Sequence, residues 1–174
     1  MGTPDENYDK GVEYRLAGNE ALFLDSDLFY TLALQNYYNA LLHLKALGGT
    51  KEKEKYKEAS ETQLVMIYNN MTAVFAKQER WDRVLFYAKK ASELDPKNTK
   101  TKFRMGQAHL RLENVDEAKT LLEQVLAENP GDALVKQELS KVAVANKQRE
   151  EKEKMIYRAM MTKLAQENEK DESK

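Results

Sequence analysis

The sequence of 174 residues has no cysteine, only 3 prolines and 7 glycines, and only 2 histidines. The absence of cysteine excludes disulfide bonds, thiolate metal ligands and a thiol nucleophile. The scarcity of proline and glycine disfavours an all-β fold, which needs many turns, and favours long helices. Charged residues make up 33% of the chain and apolar residues 41%, a balance typical of amphipathic helices that share one core.

The chain also lacks an excess of charge of one sign and a long apolar run. Its 28 lysines and arginines nearly balance 29 aspartates and glutamates, so the formal net charge is -1. Such a chain has no overall field that would draw it to nucleic acid or to an anionic membrane. It has no apolar run of about 18 residues and no signal-peptide start. The sequence therefore predicts a cytoplasmic protein, with the nucleus as the alternative, that binds neither nucleic acid nor membranes.

Residues that could carry catalysis do not occur in the necessary patterns. Neither His43 nor His109 belongs to a His-x-x-His or Glu-x-x-His pairing. His43 is interpreted as a surface or packing residue, and His109 as a core or groove residue. The chain has no phosphate-binding glycine loop and no nucleophile elbow. We therefore expect no enzymatic activity, no catalytic residue, no metal site and no cofactor.

A period of 34 residues organises the second half of the chain. Pro96 and Pro130 end two similar units, 65–98 and 99–132. Small residues recur where the two helices of one unit must approach closely, and apolar residues follow them at helical spacing. The period and these positions are typical of the tetratricopeptide repeat (TPR), in which each unit is a pair of helices. In the second unit the residues at these positions are Gly106, Ala118, Leu122 and Val125.

A third copy lies upstream. Gly18, Ala33, Tyr37 and Ala40 take the same positions if three additional residues lie in the turn at 24–27. The prediction is an all-α fold in which three TPR helix-turn-helix repeats form a right-handed superhelix, followed by a long C-terminal capping helix. The predicted helices span 6–24, 28–46, 52–78, 82–94, 99–112 and 115–128. The repeats cover about 8–46, 52–98 and 99–132 within 6–132; the helix 133–166 is capped by Asp132; and a disordered tail spans 167–174.

Polar residues recur on the first helix of each predicted pair, and these helices line the concave groove of a stacked repeat array. Arg15 and Asn19 are four residues apart and therefore share a helix face, as do Lys100 and Arg104. Asn70 lies on the first helix of the second pair, between the helix of Arg15 and the helix of Lys100. The spacing predicts that cations and amides line one wall of the groove.

The segments 15–19 and 100–106, together with Asn70, resemble the dicarboxylate clamp of co-chaperone TPR domains. The resemblance implies that these side chains bind the C-terminal tail Glu-Glu-Val-Asp of cytosolic heat-shock chaperones. Arg15 departs from the pattern, because lysine is usual there and a planar guanidinium replaces a compact ammonium. On this resemblance the peptide-carboxylate clamp consists of Arg15, Asn19, Asn70, Lys100 and Arg104.

The resemblance covers residues 8–165. The segment 152–160 looks like the last helix of TPR-bearing immunophilins of the FK506-binding type, and 37–41 is similar to the aryl-hydrocarbon-receptor-interacting protein. Those relatives carry a prolyl-isomerase-like domain before the repeats, and any such domain would lie outside this chain. The resemblance implies a co-chaperone adaptor that binds the tail of heat-shock protein 90, with the tail of heat-shock protein 70 as second candidate.

Four further residues are expected to extend the groove beyond the clamp. Phe75, Phe103 and Gln107 would pack against the apolar residue of the tail, and Lys77 would add a cation.

A second interpretation is a TPR scaffold that binds a non-chaperone partner through the groove or through the C-terminal helix. Met155, Met160 and Met161 favour that helix as a surface for a client or scaffold protein, because methionine adapts to varied partners. Packing against the final repeat would explain the same residues equally well.

Overall fold

The computed structural model describes residues 2–47 and 50–174. Within these ranges it contains no strand and seven helices: α1 (Pro4–Phe23), α2 (Asp27–Lys45), α3 (Thr50–Lys77), α4 (Trp81–Leu94), α5 (Thr99–Arg111), α6 (Val115–Glu128) and α7 (Ala133–Glu172). The predicted all-α class, with three helix pairs and a long C-terminal helix, is confirmed. The predicted ends of the six paired helices lie within two residues of those observed.

Capping side chains determine where α1 and α7 begin. Thr3 caps α1, because its hydroxyl accepts from the backbone N–H of Glu6 at 3.3 Å and the Glu6 carboxylate accepts from the N–H of Thr3 at 2.8 Å. Pro4 occupies the first turn, so α1 begins two residues before the predicted position. Asp132 caps α7 as predicted, since its carboxylate accepts from the N–H groups of Leu134 and Val135.

Within each repeat the two helices pack at small residues. Ala33, Ala88 and Ala118 are completely buried on α2, α4 and α6. A Cβ placed on Gly18 would lie 2.5 Å from the ring of Tyr37, and one on Gly106 would lie 2.8 Å from Leu122. The glycines therefore set the separation between the helices of the first and third pairs.

The first helices of the pairs lie side by side, since α1 contacts α3, and α3 contacts α5, which in turn contacts α7. One hydrophobic core extends from α1 to α5, and a second joins α5, α6 and the first part of α7. This arrangement places α1, α3 and α5 along one wall.

Helix α7 has a docked part and an exposed part. Val135 and Val142 are buried against the final repeat, and Arg149 forms paired hydrogen bonds of 3.1 Å with Asp116 of α6. Every residue from 147 onward is exposed. Helix α7 continues to Glu172, beyond the predicted end at 166 and into the segment predicted as a disordered tail. No proline or glycine interrupts it, and the sequence there is rich in good helix formers.

Two further observations concern the described ranges. No helix there is both long and apolar enough to cross a membrane. The break that the sequence predicts between the helices 28–46 and 52–78 includes Gly48 and Gly49, which lie outside the described residues.

The contact of Gly18 with Tyr37 predicts that alanine substitutions at two glycines differ sharply in their effect on stability. Gly18→Ala should lower the melting temperature, because the added methyl group meets a buried ring that cannot move without loss of packing, at a cost of about 1–3 kcal/mol. Gly131→Ala is the matched control, since a Cβ there meets no atom within 4 Å. Thermal unfolding followed by circular dichroism measures both. An unchanged melting temperature for Gly18→Ala would contradict this account of the helix spacing.

Candidate functional site

The five residues predicted to form a clamp lie on the three neighbouring helices α1, α3 and α5. Arg15, Asn19, Asn70 and Arg104 are half-buried, and Lys100 is exposed. Partial burial limits the conformations of a side chain while leaving some of its surface to a ligand.

The two asparagines are joined directly. The side-chain oxygen of Asn19 accepts a hydrogen bond of 2.7 Å from the Asn70 amide and one of 2.9 Å from the hydroxyl of Tyr37. Burial raises the pKa of Tyr37 to about 12, so its hydroxyl stays protonated and can donate at neutral pH. Because the oxygen of Asn19 is committed to two donors, the N–H side of its amide is the side that can meet a carboxylate.

Arg15 is fastened to the neighbouring helix. Its Nε donates to the side-chain oxygen of Gln63 at 2.6 Å, which connects α1 to α3. Sequence analysis missed Gln63. The available signal was its position seven residues, or about two helical turns, before Asn70.

Arg104 is held from the side of α5. Its guanidinium donates from Nη1 to the side-chain oxygen of Gln107 at 2.9 Å and lies 5.9 Å from the ring centre of Phe103. Burial lowers its pKa, and the carboxylate of Glu138 opposes that effect, yet an arginine so perturbed still keeps its charge. Lys100 precedes Arg104 by one turn, so both cations belong to the same face of α5.

Glu138 of α7 is a buried acid at the end of the α5 face that carries Lys100 and Arg104. Sequence analysis did not identify it. Its side chain is only 7% exposed and accepts hydrogen bonds from Arg111 at 3.0 Å, Lys141 at 3.1 Å and Gln107 at 3.3 Å. Burial raises the pKa of Glu138, but the bonds from Arg111 and Lys141 outweigh it, so the pKa lies below its usual value. The carboxylate is therefore ionised at neutral pH.

One of the four additional groove predictions needs correction. Phe75 is 1% exposed and stacks on Tyr87 with ring centres 5.5 Å apart, so it belongs to the core. It follows Asn70 by five residues, which turns it about 140° away around the helix. Phe103 packs against the core that joins α5 to α7 but keeps part of its ring exposed, so its contact with a ligand stays a prediction.

Lys77 lines a concavity that Arg104 also lines, and its ammonium pairs with the Asp25 carboxylate at 3.0 Å. Asp25 has a positive φ of 48° in the turn after α1 and also accepts from the hydroxyl of Tyr30. The concavity has a volume of about 520 Å³, and its remaining lining residues are mainly apolar: Leu22, Phe23, Ala73, Ala76 and Trp81.

The histidines and the acids of the described ranges form no metal site, since no three potential ligands cluster there. His43 lies 3.1 Å from the side-chain oxygen of Asn7 and stacks on Tyr14. His109 lies 3.3 Å from the Asn114 amide, and burial lowers its pKa. Both histidines are therefore part of the packing of the fold.

Comparison with known proteins agrees with this architecture. Residues 75–151 match the family model described as tetratricopeptide repeat. The C-terminal TPR-containing domain of a Plasmodium falciparum putative FK506-binding protein has a TM-score of 0.77 at 18% identity, covering 87% of this chain and 97% of that one. The TPR domain of Arabidopsis OM64 has a TM-score of 0.62 at 20% identity, covering 79% of this chain and 97% of that one.

A third similar structure is the Hsp90 co-chaperone Cns1 from Saccharomyces cerevisiae, with a TM-score of 0.68 at 20% identity. The match covers 94% of this chain but 46% of that one. At these identities the likeness concerns the fold, so the chain has the fold of a TPR domain, a kind of protein-interaction module.

The hydroxyl of Tyr37 should contribute to stability through Asn19. Tyr37→Phe keeps the buried ring but removes the 2.9 Å bond, at an expected cost of about 0.5–1.5 kcal/mol in the free energy of unfolding. Urea unfolding measures this cost, with Tyr157→Phe on the exposed part of α7 as the matched control. Equal stability of Tyr37→Phe and the unmodified chain would show that the bond is energetically neutral.

Proposed function

We propose that the chain is a co-chaperone adaptor that binds the C-terminal Glu-Glu-Val-Asp tail of heat-shock protein 90. The observation that carries this proposal is the placement of Arg15, Asn19, Asn70, Lys100 and Arg104 on three adjacent helices, with the two asparagines in direct contact. The tail of heat-shock protein 70 offers the same terminal chemistry and is the alternative ligand.

The chemistry of a C-terminal aspartate fits such a groove. That residue has a main-chain and a side-chain carboxylate within a few ångströms of one another. Lys100 and Arg104 can provide charge-assisted hydrogen bonds, while Asn19 and Asn70 can donate without adding a further charge that must be desolvated. The groove thus offers a mixture of cations and amides suited to paired carboxylates.

The concavity beside Arg104 gives the preceding residues of the tail a place to bind. Its apolar lining, which includes Trp81 and Leu22, suits the valine side chain, and Lys77 suits a glutamate. Lys77 is 54% exposed and pairs with Asp25, so a glutamate of the tail would replace a carboxylate that belongs to the chain itself. Exchange of one ion pair for another adds little net binding energy. This contact would therefore affect which tail is selected more than how tightly the tail binds.

The similar structures support the proposal, because one is described as an Hsp90 co-chaperone and another as part of a putative FK506-binding protein. A flexible tail loses conformational entropy when it binds. We therefore expect a micromolar dissociation constant, which corresponds to a binding free energy of about -8 kcal/mol.

The decisive measurement is a calorimetric titration with a peptide ending in Glu-Glu-Val-Asp, once as the free acid and once amidated at its C-terminus. The free acid should bind and the amide should bind much more weakly, because amidation removes one of the two terminal carboxylates. Absence of binding by the free acid, or equal binding by the amide, would overturn the proposal.

In the same titration, Lys100→Ala and Arg104→Ala should each weaken binding by about 1.5–3 kcal/mol, the range for a hydrogen bond to a charged group. Lys97→Ala is the matched control, because it removes the same charge from an exposed position before α5. Equal losses for the control and the groove variants would indicate general charge attraction instead of a clamp.

The second candidate function is a scaffold that binds a non-chaperone partner through the exposed part of α7. Six large apolar side chains there are between 48% and 69% exposed, which rules out packing against the final repeat as their role: Met155, Ile156, Tyr157, Met160, Met161 and Leu164. Exposed apolar clusters of this kind are typical of interaction surfaces.

This candidate predicts a different pattern of losses. A partner that binds α7 should be lost from the Ile156→Glu, Met160→Glu double variant and retained by Arg104→Ala, as measured by co-purification of the same protein with each variant. If the protein is lost from Arg104→Ala but retained by the double variant, it binds in the groove and this candidate is contradicted.

A further inference from the structure

Helix α7 reaches the groove through one buried side chain. Glu138 extends from α7 toward α5, where its carboxylate accepts from Arg111 Nη1 at 3.0 Å and Nη2 at 3.3 Å. Arg111 is itself held, because its guanidinium lies 5.1 Å from the ring centre of Trp81. The carboxylate therefore has a defined position at the end of the cationic face of α5.

Gln107 connects this carboxylate to the proposed site. Its amide nitrogen donates to Glu138 Oε1 at 3.3 Å, and its amide oxygen accepts from Arg104 Nη1 at 2.9 Å. An amide has its donors on one side and its acceptor on the other. Because the donor side of Gln107 is bound to Glu138, the acceptor side is presented to Arg104.

Arg104 needs such support if it is to bind a ligand efficiently. An arginine side chain has large rotamer freedom, and the entropy lost when it is ordered opposes binding. A contact that orders the guanidinium before the ligand arrives lowers that loss. The bond that Arg104 donates to Gln107 uses one N–H group of the guanidinium and leaves its remaining donors for other acceptors.

We infer that Glu138 is a positioning residue of the groove, which acts through Gln107 to orient Arg104 and thereby makes α7 part of the carboxylate site. This inference rests on the proposed function, because the orientation of Arg104 affects binding only if the groove binds a carboxylate. We call the series Glu138–Gln107–Arg104 the relay.

Charge alone predicts the opposite effect for the removal of Glu138. A negative charge near the groove repels an acidic peptide, so its loss would strengthen binding at any position in this region. Two variants separate the explanations, because both remove the charge. Glu138→Gln keeps an oxygen that can accept from Gln107, whereas Glu138→Met has the same length and offers no comparable acceptor.

The experiment is a calorimetric titration of both variants, as full chains, with the free-acid Glu-Glu-Val-Asp peptide. The relay predicts that Glu138→Met binds about three- to tenfold more weakly than Glu138→Gln, the value of one neutral hydrogen bond. In a Gln107→Met background, where the relay is broken without a change in charge, the difference between the two variants should disappear. Equal affinities of the two single variants, or a difference that persists in this background, would overturn the inference.

A control variant tests whether the anchoring of α7 by itself is sufficient to explain the effect. Asp116→Asn removes an acidic partner of α7 at its contact with Arg149, far along the helix from Glu138. The relay predicts that its affinity stays within about twofold of the unmodified chain, since ordinary surface ion pairs contribute little. If Asp116→Asn and Glu138→Met weaken binding equally, the docking of α7 accounts for the effect and the relay does not.

A measurement without peptide distinguishes failure of this inference from failure of the proposed function. The Nε–Hε signal of Arg104 in the nuclear magnetic resonance spectrum reports the order of its guanidinium in the unliganded chain. Glu138→Met should increase the motion of this group, while Glu138→Gln should leave it close to that of the unmodified chain. If the unmodified chain binds no free-acid peptide in the titration, the proposed function fails. If the Arg104 signal is unchanged in Glu138→Met, the relay itself is overturned.

Discussion

The contact between Gly18 and Tyr37 is the constraint on which the rest of the first repeat depends. The absence of a side chain on Gly18 lets the buried ring of Tyr37 lie against α1, and the hydroxyl of that ring then reaches Asn19. Asn19 in turn accepts from Asn70 on α3. One packing contact thus sets the spacing of the first helix pair and also orients a polar group in the groove.

The cations of the proposed site come together by local arrangement, since the chain as a whole has a formal charge of -1. Lys100, Arg104 and Arg111 gather on one face of α5 because residues four or seven apart lie on the same side of a helix. Glu138 is buried at the end of that face, where two cations and an amide compensate its charge. Arg111, one of the three cations on this face, is therefore held in place by an acid of the fold.

Sequence reasoning succeeded where a short-range rule applies and failed where a side chain meets a distant helix. Proline spacing and small residues predicted the paired helices, and Asp132 predicted the start of α7. Phe75 was assigned to the groove although its face of α3 is turned into the core. Gln63 and Glu138 were missed, because their importance comes from contacts with residues 48 and 31 positions away, Arg15 and Gln107.

The sequence by itself determined the class of fold, the boundaries of the six paired helices and the set of polar residues on the first helices. These features depend on helical periodicity and on the local chemistry of caps and breaks, which act over a few residues. Only the tertiary structure decided which polar groups are joined and which are buried. Hydrogen-bond partners and burial depend on how helices far apart in the chain pack together, and no local pattern contains that information.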